Sequence, residues 1–119
     1  MVKKLREDYL QYKLCEWLRE KDILHFHVPN GGLRTKAQAS QFVAMGVRKG
    51  VHDLIILLDG GITLFVELKV KGNYQSKEQK NFSEDIKKLG FQSHLLVADT
   101  IEDGLLQLQK ILHTNGLQF

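Results

Sequence analysis

Proline, cysteine and tryptophan are scarce in this chain of 119 residues, with one of each. The single cysteine, Cys15, excludes an internal disulfide and fits a reducing, cytoplasmic setting. Long apolar runs are also missing. Stretches such as Leu54 to Leu58 are far too short to cross a bilayer. Behind Met1-Val2-Lys3-Lys4 there is no apolar segment that could act as a signal peptide. No repeat, low-complexity tract or linker breaks the sequence, so one domain is expected, with a core of about residues 7–112. Nor is there a large excess of charge. A net charge of +3 permits contact with a phosphate backbone without requiring it.

What is present is ordinary globular material, 43% hydrophobic and 26% charged. Leu10, Leu14, Trp17 and Leu18 fall at helical spacing and predict a helix from about Arg6 to Glu20. Ile23 to Val28 reads as a short strand ended by the turn Pro29-Asn30-Gly31-Gly32. A second helix is expected over Lys36 to Met45, with Thr35 and Gln38 at capping-box spacing and Gly46 as its stop. Strands Val51 to Leu58 and Ile62 to Val70 flank Asp59-Gly60-Gly61 and should form a hairpin. Ser76 caps a helix to about Leu89, with Phe82, Ile86 and Leu89 expected to face inward. Phe91 to Ala98 is the last strand, and Thr100 opens a final helix reaching about Leu112. The order α-β-α-β-β-α-β-α predicts an α/β domain, a mixed sheet flanked by helices.

Charge on an interior strand is unusual, because an unpaired buried ion is costly. Yet Asp53 opens one hydrophobic strand, and Glu67 and Lys69 sit near the end of its partner. Strand alternation puts Thr63, Phe65, Glu67 and Lys69 on one face and Leu64, Val66 and Leu68 on the other. Register then decides whether Asp53 joins them. A three-residue turn pairs Leu58 with Ile62 and sets Asp53 opposite Glu67, whereas a two-residue turn sends Asp53 to the wrong face. Positive φ at the end of a three-residue loop suits Gly61. Two carboxylates so placed call for a hard divalent cation. Lys69 beside it would orient or deprotonate an attacking water, the equipment of phosphodiester hydrolysis.

The acid-x-Lys spacing alone carries little. Chance supplies roughly one or two such triplets in a chain of this composition, and Glu78-Gln79-Lys80 and Asp85-Ile86-Lys87 are two more. The bland alternative for Glu67 and Lys69 is a satisfied ion pair at a strand end.

With Asp53 on one hairpin strand and Glu67-Leu68-Lys69 on the next, the chain resembles the PD-(D/E)xK nuclease superfamily. More closely, it is similar to the stand-alone VRR-NUC domains of phages and bacteria. The matching segments are Glu7-Asp8-Tyr9-Leu10-Gln11, Pro29-Asn30-Gly31-Gly32, Gly46 to Asp53, Glu67-Leu68-Lys69 and Ser76-Lys77-Glu78-Gln79, in that order. The resemblance implies a restriction-endonuclease-like fold and Mg²⁺- or Mn²⁺-dependent cleavage of DNA in a bacterial or phage-infected cell. It also implies metal ligation by Asp53, Glu67 and the Leu68 backbone carbonyl, with Lys69 catalytic. Glu7 would be the first-helix acid, with Glu16 as second candidate. Glu7 also reads as a favourable charge at a helix N-terminus. Gln79 would lie at the site, although Ser76-x-x-Gln79 is equally a capping box. His52 stands where the superfamily name has proline.

For DNA contact the candidates are Asn30, Gly31, Gly32 and Arg34 in the loop, with Arg48, Lys49, Lys71 and Lys77. The five histidines lack zinc-ligand spacing. One small domain presents one cleft, so cutting both strands of a duplex or a Holliday junction would take a homodimer. Two other readings stay open: a non-catalytic nucleic-acid-binding module of the same fold, and an interaction domain with no nucleic-acid partner.

Overall fold

A computed structural model describes residues 4–29 and 35–119. The turn residues Asn30, Gly31, Gly32 and Arg34 lie outside the described residues. The elements are α1 (Glu7–Glu20), β1 (His25–His27), α2 (Lys36–Ala44), β2 (Leu54–Leu58), β3 (Ile62–Val70), α3 (Lys77–Lys88), β4 (Gln92–Ala98) and α4 (Ile101–Thr114), with a short 3₁₀ turn at Asp59–Gly61. The predicted order and mixed α/β class are what the chain adopts. No described helix is long and apolar enough to cross a membrane.

The sheet runs β1-β2-β3-β4. The first three strands are antiparallel, and β4 lies parallel to β3 after the α3 crossover. Alternation along β3 separates two faces. Leu64, Val66 and Leu68 join Leu54, Ile56, Leu96 and the buried stripes of α1 (Leu10, Leu14, Leu18) and α4 (Leu108, Leu112) in the main core. Phe65 points the other way, its ring edge-to-face with Phe82 of α3 and with Phe91. The sheet is thus covered on both sides, which removes Glu67 on β3 from water.

The elements differ from expectation mainly at their ends. β1 is shorter than Ile23 to Val28, and β2 begins at Leu54 rather than Val51. The larger correction is Leu89, which is 76% exposed. It is the C-cap of α3, past the last helical turn, so its side chain leaves the apolar stripe that Ile86 still occupies. α2 has its predicted capping box but no buried residue.

Candidate active site

The hairpin register is the one that the catalytic reading needs. Leu58 pairs with Ile62 and Leu54 with Val66, so Asp53 follows opposite Glu67. Gly60 and Gly61 have φ of 79° and 75°, a conformation that glycine adopts without penalty. At Asp53 the backbone ladder gives way to a side chain. Its Oδ2 accepts the Leu68 N–H at 2.9 Å, while its carbonyl accepts the Val28 N–H at 2.8 Å. One residue therefore ends β2 and fixes its own carboxylate against β3.

Glu67 is 1% exposed. Its Oε2 accepts a hydrogen bond from Gln79 Nε2 at 2.8 Å and lies 4.0 Å from Lys69 Nζ. Its Oε1 is buried with no hydrogen-bond partner. Burial first, and then the adjacent Asp53 carboxylate, push the Glu67 carboxyl up to about 9, with Glu7 adding to the effect and Lys69 opposing it. The two acids thus share a site in which one of them resists ionisation.

Glu7 belongs to the same place. It lines a cleft of about 400 Å³ with Asp53, Leu68, His27, Gln11 and Tyr12, and accepts a hydrogen bond from Asn73 Nδ2 at 3.3 Å. Glu16 instead pairs with Lys13, away from that cleft. Of the two acids that the resemblance offers, Glu7 and not Glu16 lines the cleft with Asp53, and Asp8 lines it as well.

Gln79 makes two contacts at once, one with the cap and one with Glu67. Its Oε1 accepts the Ser76 N–H at 2.7 Å and completes the capping box, while its Nε2 is the donor to Glu67. An amide has two different ends, and each is used. Ser76→Ala is expected to cost about 1 kcal/mol as an ordinary cap loss. Gln79→Ala should cost about twice that, since it also deprives a buried carboxyl of its donor. Urea unfolding of the two variants compares them, and equal losses would mean that the Gln79–Glu67 bond adds nothing.

The basic candidates divide. Arg48 is bound to Asp85 at 2.6 Å and lies over the Phe82 ring, so a phosphate must compete for it. Lys49, Lys71 and Lys77 are exposed. Two histidines of the site were missed by the sequence reading. His27 lines the cleft, with Nδ1 2.7 Å from the Asp53 carbonyl oxygen, and His52 is wholly buried 3.6 Å from Glu67 Oε1. Strand pairing of β1 with β2 is the signal that would have found His27.

A divalent cation fits this donor set. Asp53 and the Leu68 segment line one cleft, and Glu67 is buried directly across from Asp53 with its Oε1 unpartnered. A cation between the two acids would favour the ionised Glu67 that burial and Asp53 oppose. Among the described residues no cluster of three or more acidic, histidine or cysteine side chains is arranged to hold a metal by itself. The set rests on a carboxylate pair and backbone.

Among solved structures the chain is similar to one described as a VRR_NUC domain protein, at a TM-score of 0.73 and 27% identity, covering 94% of this chain and 92% of that one. Another, described as a VRR_NUC domain, is similar at a TM-score of 0.61 and 20% identity over 90% of this chain and 94% of that one, a likeness of fold. No family model matches the sequence, and no curated protein matches it.

Proposed function

We propose that this chain, which shares the nuclease fold of VRR-NUC domain proteins, is a Mg²⁺- or Mn²⁺-dependent endonuclease hydrolysing DNA phosphodiester bonds. The observation that carries this is the Asp53–Glu67 register, with Lys69 beside Glu67 and Glu7 in the adjoining cleft. Asp53, Glu67 and the Leu68 carbonyl would hold the cation. When bound, it supplies Lewis acidity and an acidified water.

The chain's own groups do the rest. Lys69, 13% exposed at its side chain, offsets phosphate charge in a largely dry setting and is placed to orient the attacking water. Gln79 fixes one Glu67 oxygen, and the other has no hydrogen-bond partner. Glu7 reaches the cleft from α1 and adds a second acceptor for that water's proton. Exposed Lys49, Lys71 and Lys77 would meet the phosphate backbone. A non-catalytic module of this fold would have no need to retain the two acids and the lysine together.

We assign branched DNA of the Holliday-junction kind as the substrate class and a homodimer as the working form, because two strands must meet two clefts. α2 fits the second role, since no residue of it is buried and Val43, Met45 and Val47 are exposed along and just after it. The test is cleavage of duplex, flap, single-stranded and four-way-junction DNA with Mg²⁺, Mn²⁺ or a chelator. Cutting is expected with either metal, to cease with chelator and to be fastest on the junction. Binding without any cutting under both metals would refute the nuclease assignment.

A further inference from the structure

Glu67 is approached from two directions. Gln79 holds one oxygen, and a second chain of buried polar groups leads towards the other. His52, fully buried directly before Asp53, has Nε2 2.6 Å from Ser93 Oγ on β4. That hydroxyl lies 2.6 Å from Ser83 Oγ on α3. At the near end, His52 Nδ1 stands 3.6 Å from Glu67 Oε1, and neither of these buried atoms has a hydrogen-bond partner. The imidazole edge is fixed between Phe65 and Phe82, so its plane is set by packing.

The order of donors follows from what each group can offer. A neutral imidazole carries one N–H and one lone pair. Two serine hydroxyls in series can point one way: Ser83 donates to Ser93, and Ser93 donates to His52 Nε2. The imidazole proton then sits on Nδ1, the nitrogen that faces Glu67. Glu67 meets Asp53 through a side-chain hydrogen bond, which places the carboxyl proton on that side and leaves Oε1 an acceptor. The reverse order would turn the Nδ1 lone pair towards that oxygen in a dry site, an unpaired arrangement of two acceptors that costs free energy.

We propose that Ser83, Ser93 and His52 form a positioning chain that holds His52 as its Nδ1–H tautomer and aims that N–H at Glu67 Oε1, setting the carboxylate for a divalent cation. The tautomer belongs to the fold itself, and its consequence for the cation rests on the nuclease reading above. His52 touches no reacting atom, so its role is to fix a ligand. Hydrogen bonds of this outer kind typically change metal affinity by about 10–100-fold.

Two measurements on the full chain decide the matter. ¹⁵N NMR of the His52 ring, without metal and with saturating Mg²⁺, should show Nδ1 protonated and Nε2 bare in both. Mn²⁺ titration by calorimetry should show affinity reduced about tenfold or more in His52→Phe, which keeps the aromatic packing but has no N–H. His52→Asn, whose amide can donate from the Nδ1 position, should stay within about threefold of wild type. Ser93→Ala should resemble His52→Phe, and Ser93→Thr should restore binding. An Nε2–H tautomer, or a folded His52→Phe that binds Mn²⁺ as tightly as wild type, overturns the proposal. If His52→Phe does not fold, unchanged Mn²⁺ affinity in Ser93→Ala overturns it instead. Wild type that binds no Mn²⁺ would refute the metal-dependent nuclease, while the NMR of the metal-free protein would still decide the tautomer.

Discussion

Glu67→Gln is expected to stabilise the metal-free protein at pH 8.5 while lowering DNA cleavage by about 10²–10³-fold. Both effects come from one carboxyl, whose ionisation is opposed by burial and then by Asp53. Its value in the folded protein, about 9, lies above the ordinary 4.5. A raised value means that the folded state keeps a proton that the unfolded chain releases. The stability linked to Glu67 is therefore complete below about pH 4.5 and is lost as pH rises towards 9. His52 works in a lower window. Burial holds it down to about 4 from 6.5, so its contribution is lost as pH falls through that range.

Between pH 7 and 8.5 the Glu67 effect stands clear of His52. Chelator-treated wild type should lose about 1–2 kcal/mol across that interval. Glutamine has the same shape and no charge, so the variant should show little of this slope. Urea unfolding at the two pH values checks it. A wild type with no loss of stability, or a glutamine variant less stable than wild type at pH 8.5, would contradict the account. Lys69→Ala is the companion. It should reduce cleavage by about 10²–10³-fold without the gain in stability, since it takes from Glu67 the cation that favours ionisation.

The second large effect is structural and begins at Gly50. Its φ is +87°, and a Cβ placed there would stand 2.4 Å from the carbonyl carbon and oxygen of Glu78 and 2.7 Å from the Gln79 nitrogen. Those are backbone atoms of the first turn of α3, so no side chain can swing aside. Gly50→Ala combines a left-handed conformation with a backbone collision, and is expected to cost about 3 kcal/mol. Relief by moving α3 outwards would carry Gln79 away from Glu67, so surviving folded protein should also bind Mn²⁺ less well. Gly60→Ala is the control, because a Cβ there meets nothing within 4 Å. Its loss should be about 1 kcal/mol, and equal losses would show that contact with α3 is irrelevant.

The hairpin was legible because three local signals agreed: Asp59-Gly60-Gly61 as the turn, period-two alternation, and acids at matched distances from it. Spacing put Gln79 beside Ser76, while the family resemblance put it at the site, and the two were treated as rivals, because linear spacing does not show that an amide can serve two partners. Leu89 fitted a helical stripe by number, yet the helix ended one residue earlier and released it to solvent. His52, Ser83 and Ser93 could not be read in advance. They lie on a loop, α3 and β4, and are joined only when β4 docks parallel to β3, a contact with no periodic signature.

The turn at Asp59–Gly61 also acts as a ruler. It lies about 20 Å from Asp53 along β2, contributes no side chain to the site, and nevertheless determines which residue stands across from Glu67. Either arm can change its apolar residues among those of similar shape while keeping the count. An insertion or deletion of one residue within an arm or the turn would invert one acid relative to the other, however mild it looked by composition. The dimension under tightest constraint in this hairpin is therefore its length, and sequence drift can proceed along it only by replacement.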